Sequence, residues 1–311
     1  MRVALFIAAL MAAALGLALS FPWLKTPVLL ALSNGLAVLG VIVLMRAGQV
    51  SFGHAMFACM AGYSVTFIAR AWHLDTLLLI TAGTLCATLA GAVIGVFMVR
   101  YRGIFFGMLN LAFSMVLFSV LGKFGSVTGG TDGLRFDRPT FAWVPLERDG
   151  FETALLCLAL MAALAMGLLV QRYFASVAGQ SLAAIKTNET RLEYLGISAK
   201  RVFWGGYVLA ATLCGLGGSL FALTQGLVTP EMGYWVRSGE IVFIAILGGS
   251  GHALGAFIGA FVFEFMKLYV AAWLTGAWQF VLGAVLLVMV FGAPSGIYGL
   301  LQRHLSPKAQ R

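Results

Sequence analysis

The chain has 311 residues, 61% of them hydrophobic and 10% charged, with a mean hydropathy of +0.98. Soluble domains run about 45–50% apolar and about 25% charged, which excludes a water-soluble globular enzyme. A transmembrane β-barrel is excluded as well, because its strands alternate over about ten residues and the apolar runs here are long and unbroken. Lys and Arg number 20 against 11 Asp and Glu, a net charge of +9. In a bilayer-embedded chain this excess marks basic cytoplasmic loops rather than nucleic-acid binding. At about 20 residues per crossing, the length holds an all-α polytopic membrane protein of roughly eight to ten helices, a single transmembrane domain over 1–311.

The apolar runs follow in order. The first, over 3–19, sits between Arg2 and Ala18-Leu19-Ser20. It resembles a secretory signal but exceeds the 7–15 residues of a signal core, so it is expected to be the first membrane helix. Further spans are expected over 27–45, 52–68, 77–99, 104–121, 153–170 and 202–224. A stretch from Ile241 is then interrupted by Gly248-Gly249-Ser250-Gly251, resumes through Phe265, and is followed by a last span over 280–291. Arg46, Arg100 and Arg102, the loop 171–201 and the basic tail 302–311 supply the positive charge. The positive-inside rule places them, with both termini, in the cytoplasm and the loop 122–152 outside. Parity then requires an odd number of crossings after Thr224. The Gly-rich break is therefore either a turn between two short crossings or the tip of a re-entrant hairpin.

Phe52-Gly53-His54-Ala55 and Ser250-Gly251-His252-Ala253 can be superposed, with Ala58 over Ala256. Paired Gly-interrupted segments of this kind point to an internal repeat and to broken helices near a pathway. No Walker A motif is present, so ATP is not bound through a P-loop. The four His residues are scattered, with no carboxylate at ligand spacing, and no metal site or catalytic constellation is expected. Each of Cys59, Cys86, Cys157 and Cys214 lies in an apolar run and is expected to pack rather than to form a disulfide. Glu264 and Lys267 read as an i,i+3 pair near a helix end in preference to a proton relay. With no chain of intramembrane acids, the energy for transport is expected to come from another subunit.

Two segments carry candidate sites. Gln49, Ser51 and His54 are polar and follow a glycine break, which places them at or beside a translocation path; the alternative is hydrogen bonding between helices. The stretch 176–201 is too polar to span, and within it 186–196 is expected to form a short helix and turn on the cytoplasmic face. Ala183, Ala184, Ile185, Leu192 and Leu195 give this segment an apolar contact that a plain connector does not need. Lys186, Glu189, Arg191 and Glu193 surround that contact with charge, and Gly196 suits a helix C-cap.

Several segments together resemble the permease subunits of bacterial branched-chain amino acid ABC transporters, of the LivM type. Gly48-Gln49-Val50-Ser51-Phe52-Gly53-His54-Ala55 resembles that family's G-Q-x-S-x-G-H-A signature. Arg102-Gly103-Ile104-Phe105-Phe106, Leu111-Ala112-Phe113 and Thr128-Gly129-Gly130-Thr131-Asp132-Gly133-Leu134 resemble its next three pieces. Ala184-Ile185-Lys186-Thr187-Asn188-Glu189 with Glu193-Tyr194-Leu195-Gly196 is similar to its cytoplasmic loop. Leu247-Gly248-Gly249-Ser250-Gly251 and Ala293-Pro294-Ser295-Gly296 resemble its closing motifs. Asn110 and Tyr194 depart from the pattern, and Asn110, polar within a span, is expected to stand on the translocation path with Gln49, Ser51 and His54 and to bear on substrate preference.

The resemblance implies a type II-like importer domain in the bacterial inner membrane, paired with a second homologous permease. It also implies two cytoplasmic ATPase subunits that bind ATP and Mg, an extracytoplasmic substrate-binding protein, and no cofactor or catalytic residue in this chain. Branched-chain or related amino acids would be imported by alternating access, with 171–201 as the coupling loop. The outer loop 122–152, with Arg70 and Arg237 at outer span ends, is expected to receive the binding protein. The rival reading is a self-sufficient channel for a small polar solute such as urea or an amide, which would need no ATPase.

Overall fold

Helix α1, Lys25–Arg46, is apolar on every side and carries Ser33 and Asn34 as its interior polar residues. A helix without a polar face has to be surrounded by protein, and α1 is buried almost continuously from Val28 to Leu44. The computed structural model describes residues 16, 21–72, 74–273, 278–293 and 295–305. Apart from residue 16, the expected helix over 3–19, with its signal-like character, and residues 306–311 of the basic tail lie outside the described residues. After α1 come α2 (Ala55–Trp72), α3 (Thr76–Met98), α4 (Gly103–Lys123) and α5 (Arg148–Ala175). The chain continues through α6 (Val177–Thr187), α7 (Glu189–Tyr194), α8 (Ala199–Gln225), α9 (Trp235–Gly248), α10 (Ala253–Trp273), α11 (Trp278–Gly292) and α12 (Gly296–Leu305). Among the described residues six helices, α1, α3, α4, α5, α8 and α10, are long and apolar enough to cross a membrane. The chain is an all-α multi-pass membrane protein.

The core is α1 and α8 together, wrapped by α2, α3, α5, α9 and α10. Lipid tails are as apolar as leucine, so close backbone approach and polar bonds hold such helices together. The α3–α8 contact shows both. Gly83, Ala87, Gly91 and Gly95 line one face of α3, and a Cβ added at Gly91 would collide with Ala211, as one at Gly215 would with Ala87. The hydroxyls of Thr88 and Thr212 meet across the same contact at 2.9 Å. The opposite face of α3, through Leu77, Leu85, Leu89 and Val93, is exposed. A similar exposed apolar stripe runs along α4 through Ile104, Met108, Val116 and Val120.

Two expectations about boundaries change. The span expected from Phe52 begins at Ala55, because 47–54 stays non-helical. Helix α5 starts five residues before its apolar run, at Arg148, where Arg148 and Glu152 pair at 2.9 Å. The glycine break near 250 is a turn between two helices. At 14 residues α9 is about 21 Å long, short of the roughly 30 Å hydrocarbon core. It starts at depth, because the preceding turn, Pro230–Gly233, is bonded through the Gly233 carbonyl to Ser114 Oγ near the middle of α4 at 2.5 Å. Gly249, at φ +97°, lets α9 turn back into α10 with Gly248 packed against the Gly255 carbonyl.

At the end of the bundle away from Arg46, the segment 122–152 is tied down rather than free. Strand β1 (Leu134–Arg135) pairs antiparallel with β2 (Leu227–Val228), the segment that leaves α8. Lys25 Nζ donates to Asp149 at 2.6 Å and to Thr153 at 2.9 Å. Buried Asp75 caps α3 through the Leu77 N–H and also accepts the Trp143 N–H at 2.9 Å.

Candidate functional site

The segment 47–54 lies against α4 and α8 with no helix to satisfy its backbone, so side chains and neighbouring helices do it. Gln49 Oε1 accepts the Gly103 N–H at 2.6 Å. Ser51 Oγ and His54 Nδ1 are 2.5 Å apart. The Ala55 N–H donates to Ser238 Oγ of α9 at 3.0 Å. The Tyr207 hydroxyl donates to Asn110 Oδ1 at 2.7 Å, and Asn110 Nδ2 donates to the Phe106 carbonyl at 2.8 Å. Gly53 presses on α4 so closely that a Cβ there would collide with the Asn110 carbonyl.

Ser51, His54 and Asn110 are fully buried and Gln49 nearly so. The His54 ring stands edge-on to Phe57 and Tyr207 at 5.2 and 5.1 Å, and its Nε2 has no hydrogen-bond partner among the described residues. All four polar residues expected at or beside a path therefore sit in one seam, and their hydrogen bonds join the break, α4 and α8. Beside the seam a groove of about 350 Å³ opens to the surface, lined by Val50, Phe52, Gly103, Gly107, Met108 and Leu111. The matching residue of the second glycine break is placed differently. His252 is half-buried, stacked on Tyr298 at 4.6 Å, and accepts the Leu254 N–H through Nδ1.

At the Arg46 end of the bundle, α6 and α7 form an elbow, capped by Ser176 and by Asn188, whose Oδ1 accepts the Arg191 N–H at 2.9 Å. The apolar contact expected from Ile185, Leu192 and Leu195 is corrected here. Ile185 and Leu192 are buried at 7% and 4% exposure inside the chain's own core, together with Leu182. Tyr194 and Leu195 are the exposed pair, at 88% and 73%. The signal for Tyr194 was its departure from the family pattern, a large aromatic where a small residue is usual. Gly196 closes the turn at φ +78°, a conformation that glycine adopts without a steric penalty. Arg191 and Glu193 are exposed beside the pair. Lys186 and Glu189 contact the chain itself: the Lys186 stem lies over Gly48, and Glu189 pairs with Arg102 at 2.7 Å.

At the opposite end, Arg70 is exposed and lines a cavity of about 760 Å³ with Arg135, Arg138 and Asp137. Trp143 projects beside this region, 70% exposed, at a positive φ of 64°. Arg237, expected to stand with Arg70, does not. It begins the short helix α9 at depth, bonded to Glu240 at 2.5 Å and to Asn34 Oδ1 at 2.9 Å, with its guanidinium 5.2 Å from the Phe221 ring centroid. The Asn34 amide donates in turn to Glu264. Glu264 is thus bonded to α1 and lies in mid-helix rather than near a helix end, with the Lys267 charge one turn away also acting on it.

The family model described as branched-chain amino acid transport system / permease component matches residues 24–290, from the start of α1 into α11. The chain belongs to this family of permeases. Among relatives, the high-affinity branched-chain amino acid transport system permease protein LivM of Escherichia coli (strain K12) is 22% identical over 288 residues, covering 86% of this chain and 68% of LivM. LivH of the same organism is 28% identical over 123 residues, 39% of each chain. A probable branched-chain amino acid transport permease protein LivH of Methanocaldococcus jannaschii is 24% identical over 204 residues, covering 61% of this chain and 62% of that protein. No solved structure matches the chain. The matched permease region contains the 47–54 break, the α6–α7 elbow and the α9–α10 turn.

Proposed function

We propose that this permease is one membrane subunit of an ATP-driven importer for branched-chain or related amino acids in a bacterial inner membrane. The observation that carries this reading is the elbow. On a chain without a P-loop, it presents a rigid turn with two exposed apolar side chains beside the basic ends of the helices, where the positive-inside rule puts the cytoplasm. Of two ATPase subunits holding ATP and Mg, one seats on that turn and the other on a second permease. This second, homologous permease packs on the exposed stripe of α3 and faces that of α4 across a shared passage, in keeping with relatives that bear two different permease names. ATP-driven closure of the ATPases moves the elbow and reorients the helices around a shared passage, giving alternating access.

The deciding measurement is uptake of labelled amino acids by vesicles holding the chain with its native neighbours. ATP-dependent uptake that requires stoichiometric ATPase subunits is expected; ATP-independent flux through the chain alone would replace this reading with a channel. In that complex Gln49, Ser51, His54 and Asn110 stand beside the passage, and the groove surface around Met108 faces it. In a background without Cys59, Cys86, Cys157 and Cys214, Met108→Cys is expected to react with a water-soluble thiol reagent and Ser51→Cys to remain unlabelled. Labelling of Ser51→Cys in any transport state would move the passage into the seam.

The binding protein is proposed to dock over 122–152 and the arginine-lined cavity. Exposed ion pairs contribute about 0–1 kcal/mol each, but a basic patch steers an acidic partner and raises its association rate. Reversing Arg70, Arg135 and Arg138 together to Glu is expected to slow docking about tenfold or more at low ionic strength and to weaken its salt dependence. Unchanged association rates in stopped-flow binding at low salt would exclude this surface.

A further inference from the structure

Movement of the elbow has to reach the helix beside the passage, and the chain contains a direct connection. Arg102 is the N-cap residue of α4, with extended backbone at φ −137° and ψ 161°. Its Nε and Nη2 donate to the two carboxylate oxygens of Glu189, the first residue of α7, at 3.3 and 2.7 Å. Its Nη1 donates to the carbonyls of Val99 and Tyr101 at 2.6 and 2.9 Å, and its guanidinium carbon lies 4.4 Å from the Phe203 ring centroid of α8. All three guanidinium nitrogens are used: one holds the α3–α4 turn and two hold the elbow.

A planar fork of this kind fixes direction as well as distance, which a flexible ammonium does not. The pair is only half-buried, at 24% and 34% side-chain exposure, so its contribution to stability is small. What it does supply is a fixed geometry between two elements 87 residues apart. Beyond Arg102, α4 is locked to the 47–54 break by Gly103 on Gln49, by Gly107 beside the Val50 carbonyl, and by Asn110 against Gly53. The Lys186 stem on Gly48 gives the elbow a second hold on the same break.

We propose that Arg102 and Glu189 form a positioning strut that carries displacement of the ATPase-docked elbow into α4 and the break as one body. This inference rests on the reading of the elbow as the ATPase contact. Neither residue touches substrate; the strut acts by setting where α4 goes when the elbow moves.

The test is a double-mutant cycle in the full reconstituted complex with its binding protein: Arg102→Ala, Glu189→Ala and both together. The readouts are uptake per ATP hydrolysed, stoichiometry of the purified complex and thermal unfolding. Each single variant is expected to lower uptake per ATP about tenfold, within the usual range of coupling between sites. The double variant is expected to fall no further than either single, as for two residues acting through one contact. Glu189→Gln, which keeps the size and loses the charge, gives the same loss if the alanine variants do not assemble. Three results would overturn the strut: a wild-type ratio in a single variant, losses that multiply in the double variant, or falls that merely track lost assembly and thermal stability. Failure of the wild-type complex to couple ATP hydrolysis to uptake would instead remove the ATPase reading itself, so the two failures are distinguishable.

Discussion

Replacing Tyr194 and Leu195 together by Asp is expected to abolish retention of the ATPase subunits by the permease. Both side chains are exposed, at 88% and 73%, on a turn whose shape is set by the Asn188 cap, by buried Leu192 and by the left-handed Gly196. Apolar and aromatic side chains displayed on a rigid support are the usual anchors of an interface, and losing one costs about 2 kcal/mol or more. Two such losses weaken binding on the order of a thousandfold, and the buried aspartates would add unpaired charge. Neither residue packs in the chain's own core, so the permease itself should fold and reach the membrane. Co-purification of the ATPase subunits in mild detergent reads the result directly; stoichiometric retention would show that the elbow is only a connector. Milder changes on the same turn separate docking from coupling. Gly196→Val forces a β-branched residue to φ +78°, straining the exit of α7 by about 1–2 kcal/mol, while Glu193→Arg reverses an exposed charge. Both are expected to leave the complex assembled and to reduce stimulation of hydrolysis and uptake by loaded binding protein.

The second large effect is expected inside the bundle. Gly53→Val should prevent formation of the native seam, because its Cβ would collide with the Asn110 carbonyl, and both partners are backbone. Side chains can rotate away from an added methyl; a helix backbone anchored by Gln49 at Gly103, with its Asn110 side chain held by Tyr207, cannot. Overpacking of this kind costs about 1–3 kcal/mol even where side chains yield, a large share of a net stability of about 5–15 kcal/mol. The control comes from the second glycine break. Gly251 aligns with Gly53, yet a Cβ at Gly251 would meet nothing within 4 Å, so Gly251→Ala should be tolerated. Thermal unfolding of the purified chain and its folded yield read both variants. A normal melting temperature for Gly53→Val would show that α4 does not approach the break as described.

The contrast between these two glycines shows what periodicity and motif alignment convey. The same three residues, Gly-His-Ala preceded by a break, start a helix at Ala55 and at Ala253, so the local register was legible. The surroundings were not. His54 is sealed between Ser51, Phe57 and Tyr207, whereas His252 stacks on Tyr298 at the edge of the α9–α10 turn. The elbow gives a similar lesson. Its position and caps follow from composition and from Asn188 and Gly196, but the side of α7 that faces outward depends on the core it packs against. Ile185 and Leu192 were available for a partner until Leu182, Phe203 and Gly206 enclosed that side.

By itself the sequence determined the membrane class, the order of the long helices and the approximate length of α1–α4, α8 and α11, the two glycine breaks and the family. Each of these depends on neighbours within a few residues, through local hydropathy, helix caps and glycine conformations. Only the tertiary structure decided which polar groups meet: Arg102 with Glu189 across 87 positions, Lys25 with Asp149 across 124, and Asn34 with Glu264 across 230. It also decided that Arg237 lies at depth rather than at an outer end, because the chain between α8 and α9 returns to the level of Ser114 before a helix restarts. Hydropathy ranks how far a segment prefers lipid to water, and a buried ion pair or an interhelical bond leaves that average unchanged. Such pairs are chosen by the packing of helices distant in sequence, where an unsatisfied polar group at membrane depth costs several kcal/mol and leaves few arrangements open.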